Sequence, residues 1–359
     1  MIVDNLLEQI DKGRKGENWG LPIGMPKLET LIDGVCQSTY TLLFGGSGSG
    51  KTSFALYMYV YKPLVTYPAF NYKVIIYSLE MRAEVLFAKL LSIYIFEHYK
   101  KVITIKDIMS RKRDTILSDE DYELVKEASE WLRTIESKII IWDKALNAKV
   151  FKSHLHRTLA KYGTFSESEN RVIYTPEDPN AITVVMIDHI GLSTPSEGRT
   201  LKGEIDIISA IAANYRNRCL VSPLIISQVN REAQSMDRKK AGFEEFKRSD
   251  VKDSSNLEQD CDLMIGIFDP NREKLNTYRE YSVAPIAQVL RGLILLKNRY
   301  DCGDAMVGTA FYGQCGVVTE LPSPRDISDY SLYATPMWLV EEDVKQTKKD
   351  KQFNMNLTL

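Results

Sequence analysis

Residues 40–61 read YTLLFGGSGSGKTSFALYMYVY, and this stretch decides the fold. A short apolar run, a loop of glycine and serine, and a second apolar run follow one another without interruption. We interpret them as a buried strand, a tight loop and a helix. The loop, at residues 45–52, fits the pattern G-x-x-x-x-G-K-[ST], which in this context predicts that a nucleoside triphosphate binds here.

The glycine-rich loop has a specific chemistry. Glycines let the backbone curl so that successive N–H groups point at phosphate oxygens, at the start of a helix whose dipole favours an anion. We expect Lys51 to reach the β and γ phosphates and the Thr52 hydroxyl to hold Mg²⁺. The alternative is a glycine- and serine-rich turn without a ligand. The residues predicted to contact ATP are Gly45, Gly46, Ser47, Gly48, Ser49, Gly50, Lys51, Thr52 and Ser53.

The sequence outside this loop alternates between strand-like and helix-like stretches. Residues 72–80, 181–190 and 222–228 are β-branched apolar runs, whereas 83–99 and 118–136 have the length and pattern of helices. Uninterrupted apolar runs suit strands that are covered on both faces. The prediction is an α/β fold with a mainly parallel central sheet covered by helices. Further strands are expected at 258–270 and 290–299, a hairpin at 306–321, and a polar surface loop at 163–180.

Three polar side chains end predicted strands. Parallel strands bring their carboxyl ends to one edge of the sheet, where ligands bind in open α/β folds. There Asp188 would orient water around Mg²⁺, Glu80 would polarise the attacking water, and Gln228 would sense the γ-phosphate. The alternatives are a turn residue for Asp188 and a helix cap for Glu80.

Basic residues follow two of these strand ends. Acidic residues are interleaved with them, and a run of charge is usually a solvated face, so nucleic-acid contact and plain solvation both stay open. The candidate nucleic-acid contacts are Arg199 and Lys202 after Asp188, and Arg231, Arg238, Lys239 and Lys240 after Gln228.

Lys297 and Arg299 form a further basic pair. They lie two residues apart on a predicted strand, so their side chains point to the same side. The pair is either a salt-bridged face or a finger that reaches the γ-phosphate held by a neighbouring subunit.

Composition narrows the class of protein. The 359 residues carry a formal net charge of −2, so any nucleic-acid contact must come from a local patch or from a surface built by several subunits. Five scattered cysteines without a C-x-x-C pair favour reduced thiols in a cytosol over disulfides or a zinc site. No apolar run approaches ~18 residues and no signal peptide is recognisable, so we expect a cytoplasmic protein without membrane contact.

The two ends of the chain differ from its centre. Val3, Leu6, Leu7 and Ile10 have helical spacing and precede a polar linker, so this helix must dock on its own domain or on a neighbour. The last residues are polar and basic, which predicts a mobile tail or a docking arm. The expected division is a linker helix at 1–17, an ATPase domain at 18–330 and a tail at 331–359.

Several motifs together carry a family resemblance. YSLEM at 77–81, VVMIDHIGL at 184–192, IISQVNRE at 225–232 and LLKNRYDCGD at 295–304 follow the glycine-rich loop in order. With LPIGMPKLETLIDGV at 21–35, this set resembles the ATPase domain of the DnaB-type replicative helicases, a RecA-like family of superfamily 4. The resemblance covers about residues 18–322.

The resemblance implies a RecA-like P-loop NTPase fold and a homo-hexamer with ATP bound between subunits. Lys51, Thr52, Glu80, Asp188 and Gln228 would act in one subunit. Lys297 and Arg299 would reach the nucleotide of the next, and the loops after Asp188 and Gln228 would hold single-stranded DNA in the pore. The family also implies that the N-terminal helix packs on the adjacent subunit.

Two departures from the family stand out. DHIGL replaces the more usual Asp-Tyr-Leu-Gln, and we expect His189 to pack or to hydrogen-bond locally rather than to catalyse. We expect no counterpart of the N-terminal domain by which cellular members engage primase, and hence a short form such as a phage or mobile element encodes.

The resulting hypothesis is an ATP-dependent replicative DNA helicase motor that translocates on single-stranded DNA, with a primase or loader as further partner. A RecA/KaiC-like DNA-binding ATPase and a helicase-loading ATPase that does not unwind are the alternatives. Intact Glu80 and Arg299 argue against a subunit that binds ATP without hydrolysing it.

Overall fold

The computed structural model describes residues 2–16, 18–111, 116–168, 171–230, 245–252, 255–301 and 303–334. Most of these residues belong to regular elements. The strands are β1 Thr41–Gly45, β2 Tyr72–Ser78, β3 Ile139–Trp142, β4 Gly163–Ser168, β5 Arg171–Pro176, β6 Ile182–Asp188, β7 Val221–Gln228, β8 Leu263–Phe268, β9 Thr277–Tyr278, β10 Tyr281–Ser282, β11 Leu290–Asn298, β12 Ala305–Tyr312 and β13 Val317–Glu320.

Helices cover the sheet on both faces. They are α1 Ile2–Arg14, α2 Pro26–Ile32, α3 Lys51–Leu56, α4 Lys62–Thr66, α5 Ala83–Tyr99, α6 Ile105–Ile108, α7 Asp119–Ile135, α8 Ala148–Leu159, α9 Leu201–Cys219 and α10 Ser255–Asp260. A π-helical turn, Tyr57–Tyr61, joins α3 to α4. Side-chain caps start α7, α8 and α9: at α7, for example, the Ser118 hydroxyl accepts from the Asp121 backbone N–H at 3.1 Å.

The main sheet has nine strands in the order β13-β12-β11-β8-β1-β7-β6-β2-β3. The six strands from β8 to β3 pair in parallel, whereas β11, β12 and β13 are antiparallel. In register, Gly45 lies opposite Gln228 and Ser78 lies opposite Asp188. The predicted α/β fold with a mainly parallel sheet is therefore confirmed, and so is the hairpin of β12 and β13.

Alternate residues of the central strands pack into two separate cores. Leu43, Val184 and Ile226 face the layer of α2, α3 and α5, whereas Phe44 and Val185 face the layer of α8 and α9. Both faces of each central strand are buried. Double coverage explains why these strands read as uninterrupted apolar runs rather than as an alternating pattern.

The prediction of a surface loop at 163–180 is wrong. Residues 163–168 and 171–176 form the antiparallel strands β4 and β5, with Phe165 opposite Tyr174. The Phe165 ring stacks on His156 of α8 at 3.9 Å between centroids, and the Tyr174 hydroxyl donates to the Leu159 carbonyl. Phe165 and Tyr174 lie on one face of the hairpin and pack on the helix layer. The serine, threonine and glutamate residues around them hide this two-residue period in the sequence.

The predicted N-terminal helix is present as α1. Its apolar side chains stay exposed: Val3 is 66% and Ile10 is 48% accessible. Its partner, on this subunit or another, stays a prediction. Residues 335–359, which include most of the predicted tail, lie outside the described part of the chain. Among the helices that are described, none is long and apolar enough to cross a membrane.

Candidate nucleotide-binding and hydrolysis site

The glycine-rich loop lies between β1 and α3, as the sequence predicts. Gly48 and Gly50 have φ values of +74° and +98°, in the left-handed region that only glycine enters without strain. At Gly45, a Cβ atom would lie 2.7 Å from the Ile267 carbonyl oxygen of the neighbouring strand. These constraints curl the loop into the start of α3, where helix N–H groups have no helical acceptor and suit a phosphate.

Lys51, the first residue of α3, points its ammonium group back into the loop. Its Nζ donates to the Gly46 carbonyl at 2.8 Å, and its side chain is largely buried. Burial lowers the pKa of Lys51, whereas the charges of Asp188 and Glu80 raise it. The ammonium therefore lies where phosphate oxygens would meet the loop, close to two carboxylates.

Thr52 and Asp188 are joined directly, although 136 residues separate them. The Thr52 hydroxyl donates to Asp188 Oδ2 at 2.7 Å, and Asp188 is 1% exposed. Burial raises the pKa of Asp188 to about 6, against the lowering effect of the Thr52 hydrogen bond. A hydroxyl and a carboxylate are hard oxygen ligands of the type Mg²⁺ prefers, and a divalent cation would stabilise the buried carboxylate. The two residues fit the predicted magnesium site.

Glu80 lies just after β2, at the same edge of the sheet. The Leu79 backbone N–H donates to the Asp188 carbonyl at 2.7 Å, which ties this segment to the end of β6. The Glu80 carboxylate is exposed and near enough to raise the pKa of Lys51. Its position, beside the loop but open to water, suits a group that handles the attacking water.

Gln228 and His189 form a pair beside Asp188. Their Nε2 atoms are 3.2 Å apart, and His189 is 8% exposed. In this arrangement the Gln228 amide N–H donates to His189 Nε2, which therefore carries no proton. The expectation that His189 packs and hydrogen-bonds locally is confirmed, and its partner is the predicted γ-phosphate sensor.

Lys89 belongs to the same cluster and was missed in the sequence. Its Nζ on α5 lies 3.3 Å from the hydroxyl of Ser53, which was among the predicted ATP contacts. Burial lowers the pKa of Lys89, while Asp188 and Glu80 raise it. The sequence does contain a hint of this position. Lys89 lies in the middle of α5, a largely apolar helix that must pack close to the sheet.

Lys297 and Arg299 are not in the site of their own subunit. Strand β11 runs antiparallel to β8, and Lys297 lies opposite Met264 near the start of β8. This position is at the edge of the sheet opposite the glycine-rich loop. The strand ends at Asn298, one residue before Arg299, yet both cations donate to the Gln259 carbonyl, Lys297 at 3.2 Å and Arg299 at 3.2 Å. They point to the same side, as predicted.

The candidate nucleic-acid residues divide into two groups. Arg199 lies just before α9 and forms an ion pair with the buried Glu204 at 3.5 Å, and Lys202 is exposed in the first turn of α9. The other four, Arg231, Arg238, Lys239 and Lys240, lie outside the described residues.

Comparisons with known proteins identify the family of the chain. A family model described as the DnaB-like helicase C-terminal domain matches residues 20–314. The replicative DNA helicase DnaB of Buchnera aphidicola subsp. Baizongia pistaciae (strain Bp) is 28% identical over 279 residues, 76% of this chain and 50% of that protein. DnaB of Buchnera aphidicola subsp. Acyrthosiphon pisum (strain APS) is 25% identical over 277 residues, 76% of this chain and 51% of that protein. The chain thus spans about half the length of these curated relatives.

Solved structures show the same fold. An ATPase domain of known structure superposes with a TM-score of 0.66 at 21% identity, over 89% of this chain and 99% of that one. A DnaB-like replicative helicase, solved to show its interactions with primase, gives a TM-score of 0.65 at 21% identity, over 89% of this chain and 68% of that one. The predicted RecA-like P-loop fold is confirmed, and with a family model that matches most of its length, the chain belongs to the DnaB-like helicase C-terminal domain family.

Proposed function

We propose that the chain is the motor of an ATP-dependent replicative DNA helicase that works as a homo-hexameric ring on single-stranded DNA. Membership of the DnaB-like family supports the helicase class. The observation that carries the hydrolysis step is the direct contact of Thr52 with Asp188, at the sheet edge that also holds Glu80 and Gln228. Nucleotide binding alone does not require polar side chains from three strand ends, whereas hydrolysis does.

The residues of one subunit divide the work of ATP hydrolysis. The loop N–H groups of residues 45–52 and the Lys51 ammonium bind the phosphates, and Thr52 with Asp188 would hold Mg²⁺. The cation, when bound, would offset the negative charge of the triphosphate. Glu80 accepts a proton from the attacking water and orients it. Gln228 detects the γ-phosphate and passes its loss to the loop that follows β7.

The remaining cations act on the neighbouring subunit. Lys297 and Arg299 lie at the sheet edge opposite their own glycine-rich loop, so a head-to-tail ring would bring them to the next subunit's nucleotide. There they would stabilise the charge that develops on the γ-phosphate, an effect worth ~10³ to 10⁵ in rate for such fingers. The exposed apolar side of α1 would pack on the same neighbour.

Single-stranded DNA would bind the two loops that leave the catalytic edge. The first ends in Arg199 and Lys202, and the second carries Arg231, Arg238, Lys239 and Lys240. Because both loops start at residues beside the nucleotide, Asp188 and Gln228, a change at the γ-phosphate would move them. We place this motor in the cytoplasm, with a primase or a loader as its further protein partner.

ATPase activity with and without single-stranded DNA tests the proposal. The full chain should hydrolyse MgATP, DNA should stimulate it, and it should displace a strand from a forked duplex. Stimulation without displacement would favour a RecA/KaiC-like ATPase, and ATP binding without turnover would favour an assembly factor. Mass determination with an ATP analogue and DNA should give six copies; a stable monomer under all conditions would contradict the ring.

A further inference from the structure

Arg272 lies at the mouth of the glycine-rich loop, in the turn that follows β8. One of its guanidinium nitrogens, Nη1, is 3.6 Å from the position that a Cβ atom would take at Gly48. Strand β8 is the direct neighbour of β1, with Ile267 opposite Gly45, so the turn after it leaves the sheet beside the loop. The side chain is exposed, and its guanidinium makes no hydrogen bond or ion pair with the described residues.

The turn that carries Arg272 is anchored from below. Asp269 Oδ1 accepts from the Arg272 backbone N–H at 3.1 Å, and Asp269 Oδ2 pairs with Arg291 Nη2 at 3.1 Å. The Arg291 side chain is 9% exposed, lies over the Phe311 ring and also donates to the Leu290 carbonyl. A buried ion pair contributes little net stability because both charges lose their hydration. Here the ion pair fixes the position of the turn and therefore of Arg272.

Like charges meet at this point. Arg272 is close enough to lower the pKa of Lys51, an effect that adds to burial and opposes Asp188 and Glu80. Burial lowers the pKa of Arg291, Asp269 raises it, and Arg272 adds to the lowering. Two cations held beside one loop repel each other unless an anion lies between them. A polyphosphate on the loop would turn that repulsion into attraction.

We propose that Arg272 is a nucleotide-binding residue that contacts the β- or γ-phosphate of ATP in its own subunit. This inference rests on the proposed ATP binding by the glycine-rich loop and adds a cation in cis to those expected from the neighbour. Arg272 belongs to no motif in the sequence, where FDPNREK at 268–274 has the composition of a turn. Its contact depends on tertiary structure: β8 beside β1, and a turn held by Asp269.

Nucleotide binding to the full chain separates Arg272 from its surroundings. A fluorescent, non-hydrolysable ATP analogue is titrated with Mg²⁺, then displaced by ATP, GTP and inorganic tripolyphosphate. Arg272→Ala should weaken all of them by about tenfold, the effect of one lost charge-assisted hydrogen bond. Arg272→Lys should recover part of the loss. Lys274→Ala, which removes the same charge two residues away at another exposed side chain, should stay within about twofold of the original protein.

The outcomes separate the role of Arg272 from that of the glycine-rich loop. If Lys51→Ala abolishes binding but Arg272→Ala leaves every affinity unchanged, the glycine-rich loop stands and the role of Arg272 is wrong. If Lys51→Ala also binds normally, the proposed ATP site itself fails. A loss confined to ATP, with GTP and tripolyphosphate unaffected, would place Arg272 on the base and overturn the phosphate contact. An equal loss for Lys274→Ala would reduce the effect to general surface charge.

Discussion

The two edges of the central sheet, at opposite ends of its parallel strands, present different sets of charged side chains. At the carboxyl edge, Lys51 and Asp188 are buried and Thr52 is half-buried. These three side chains bond to one another or to the loop, and Glu80 flanks them. At the opposite edge, the Arg299 side chain is 43% exposed and is held on Asp262 at 3.0 Å. One edge gathers the residues proposed to hydrolyse ATP within a single subunit, whereas the other presents two cations at the far end of the strands from that site.

The contact between Arg299 and Asp262 shows how a cation can be both held and available. Asp262 is 1% exposed and also pairs with Arg216 at 2.7 Å and accepts from the Tyr40 backbone N–H at 2.9 Å. Because Arg216 would still neutralise it, the buried carboxylate does not lose its only counter-charge if Arg299 turns away. The second edge therefore holds Arg299 in position without requiring it for the fold.

The largest expected effect comes from Arg299→Ala. Loss of a finger that stabilises the transferring phosphate should lower kcat for ATP by ~10³ to 10⁵, with ATP affinity nearly unchanged. The melting temperature should change little, because Arg216 still pairs with Asp262. Steady-state ATPase measurements check this. Arg325→Ala, an equally charged and 81% exposed residue elsewhere, is the control and should be silent.

Mixed rings show whether the finger acts in trans. Subunits with Arg299→Ala keep an intact glycine-rich loop, and subunits with Lys51→Ala keep an intact Arg299. Mixing two inactive variants should restore ATPase activity at the interfaces that combine the intact halves. If no ratio of the two restores turnover although mixed rings form, Arg299 does not serve a neighbour's nucleotide and the contrast between the two edges fails.

Glu80→Gln should give the next largest effect. Removal of a general base typically costs about 10² to 10⁴ in rate, and glutamine keeps the size of the side chain. Because Glu80 is exposed and would contact only the attacking water, ATP affinity and thermal stability should be preserved. Single-turnover hydrolysis and analogue titration separate the two quantities. A weakened affinity with unchanged kcat would place Glu80 in binding rather than in catalysis.

The sequence predicts the carboxyl edge much better than its surroundings. The ends of three apolar runs at Glu80, Asp188 and Gln228 suffice, because parallel strands gather their ends at one edge. Lys89 and Arg272 join the site only through the packing of α5 and of the turn after β8. A lysine within an apolar helix hints at the first, and no local pattern specifies the second. For Lys297 and Arg299, spacing gives a shared side, but their edge depends on β11 running antiparallel to β8.

At residues 163–180 the local pattern predicts the wrong structure. There the polar residues between Phe165 and Tyr174 suggest a loop, and a hairpin forms because both rings bury against α8. Tertiary burial of a few aromatic side chains outweighs a weak local preference.

Asp188 should make stability depend on pH in the absence of Mg²⁺ and nucleotide. Its pKa is raised from 3.8 to about 6 by burial, so the folded chain binds this proton more tightly than the unfolded chain does. Its contribution is therefore favourable below about pH 4 and is lost as the pH rises to about 6, by up to about 3 kcal/mol. Asp188→Asn, measured by denaturant unfolding, should stabilise the chain at pH 7 more than at pH 4, and Mg²⁺ with an ATP analogue should narrow the difference. An equal effect at both pH values would contradict the burial of a charged carboxylate.

Lys89→Met should give the smallest effect, and it tests how the charges at the carboxyl edge interact. The Lys89 charge lies beside Asp188 and favours its ionised form, so removing it should raise the pKa of Asp188 further. The acidic limb of the pH–rate profile should then move to higher pH, while kcat at pH 8 falls by less than about fivefold, as for a partly solvated pair. Lys89→Arg should restore the profile, whereas Lys126→Met, on an exposed face of α7, should leave it unchanged. If Lys89→Met lowers kcat equally at every pH, Lys89 contacts the nucleotide instead of tuning the carboxylates, and the site has one more phosphate-binding cation than its sheet edge reveals.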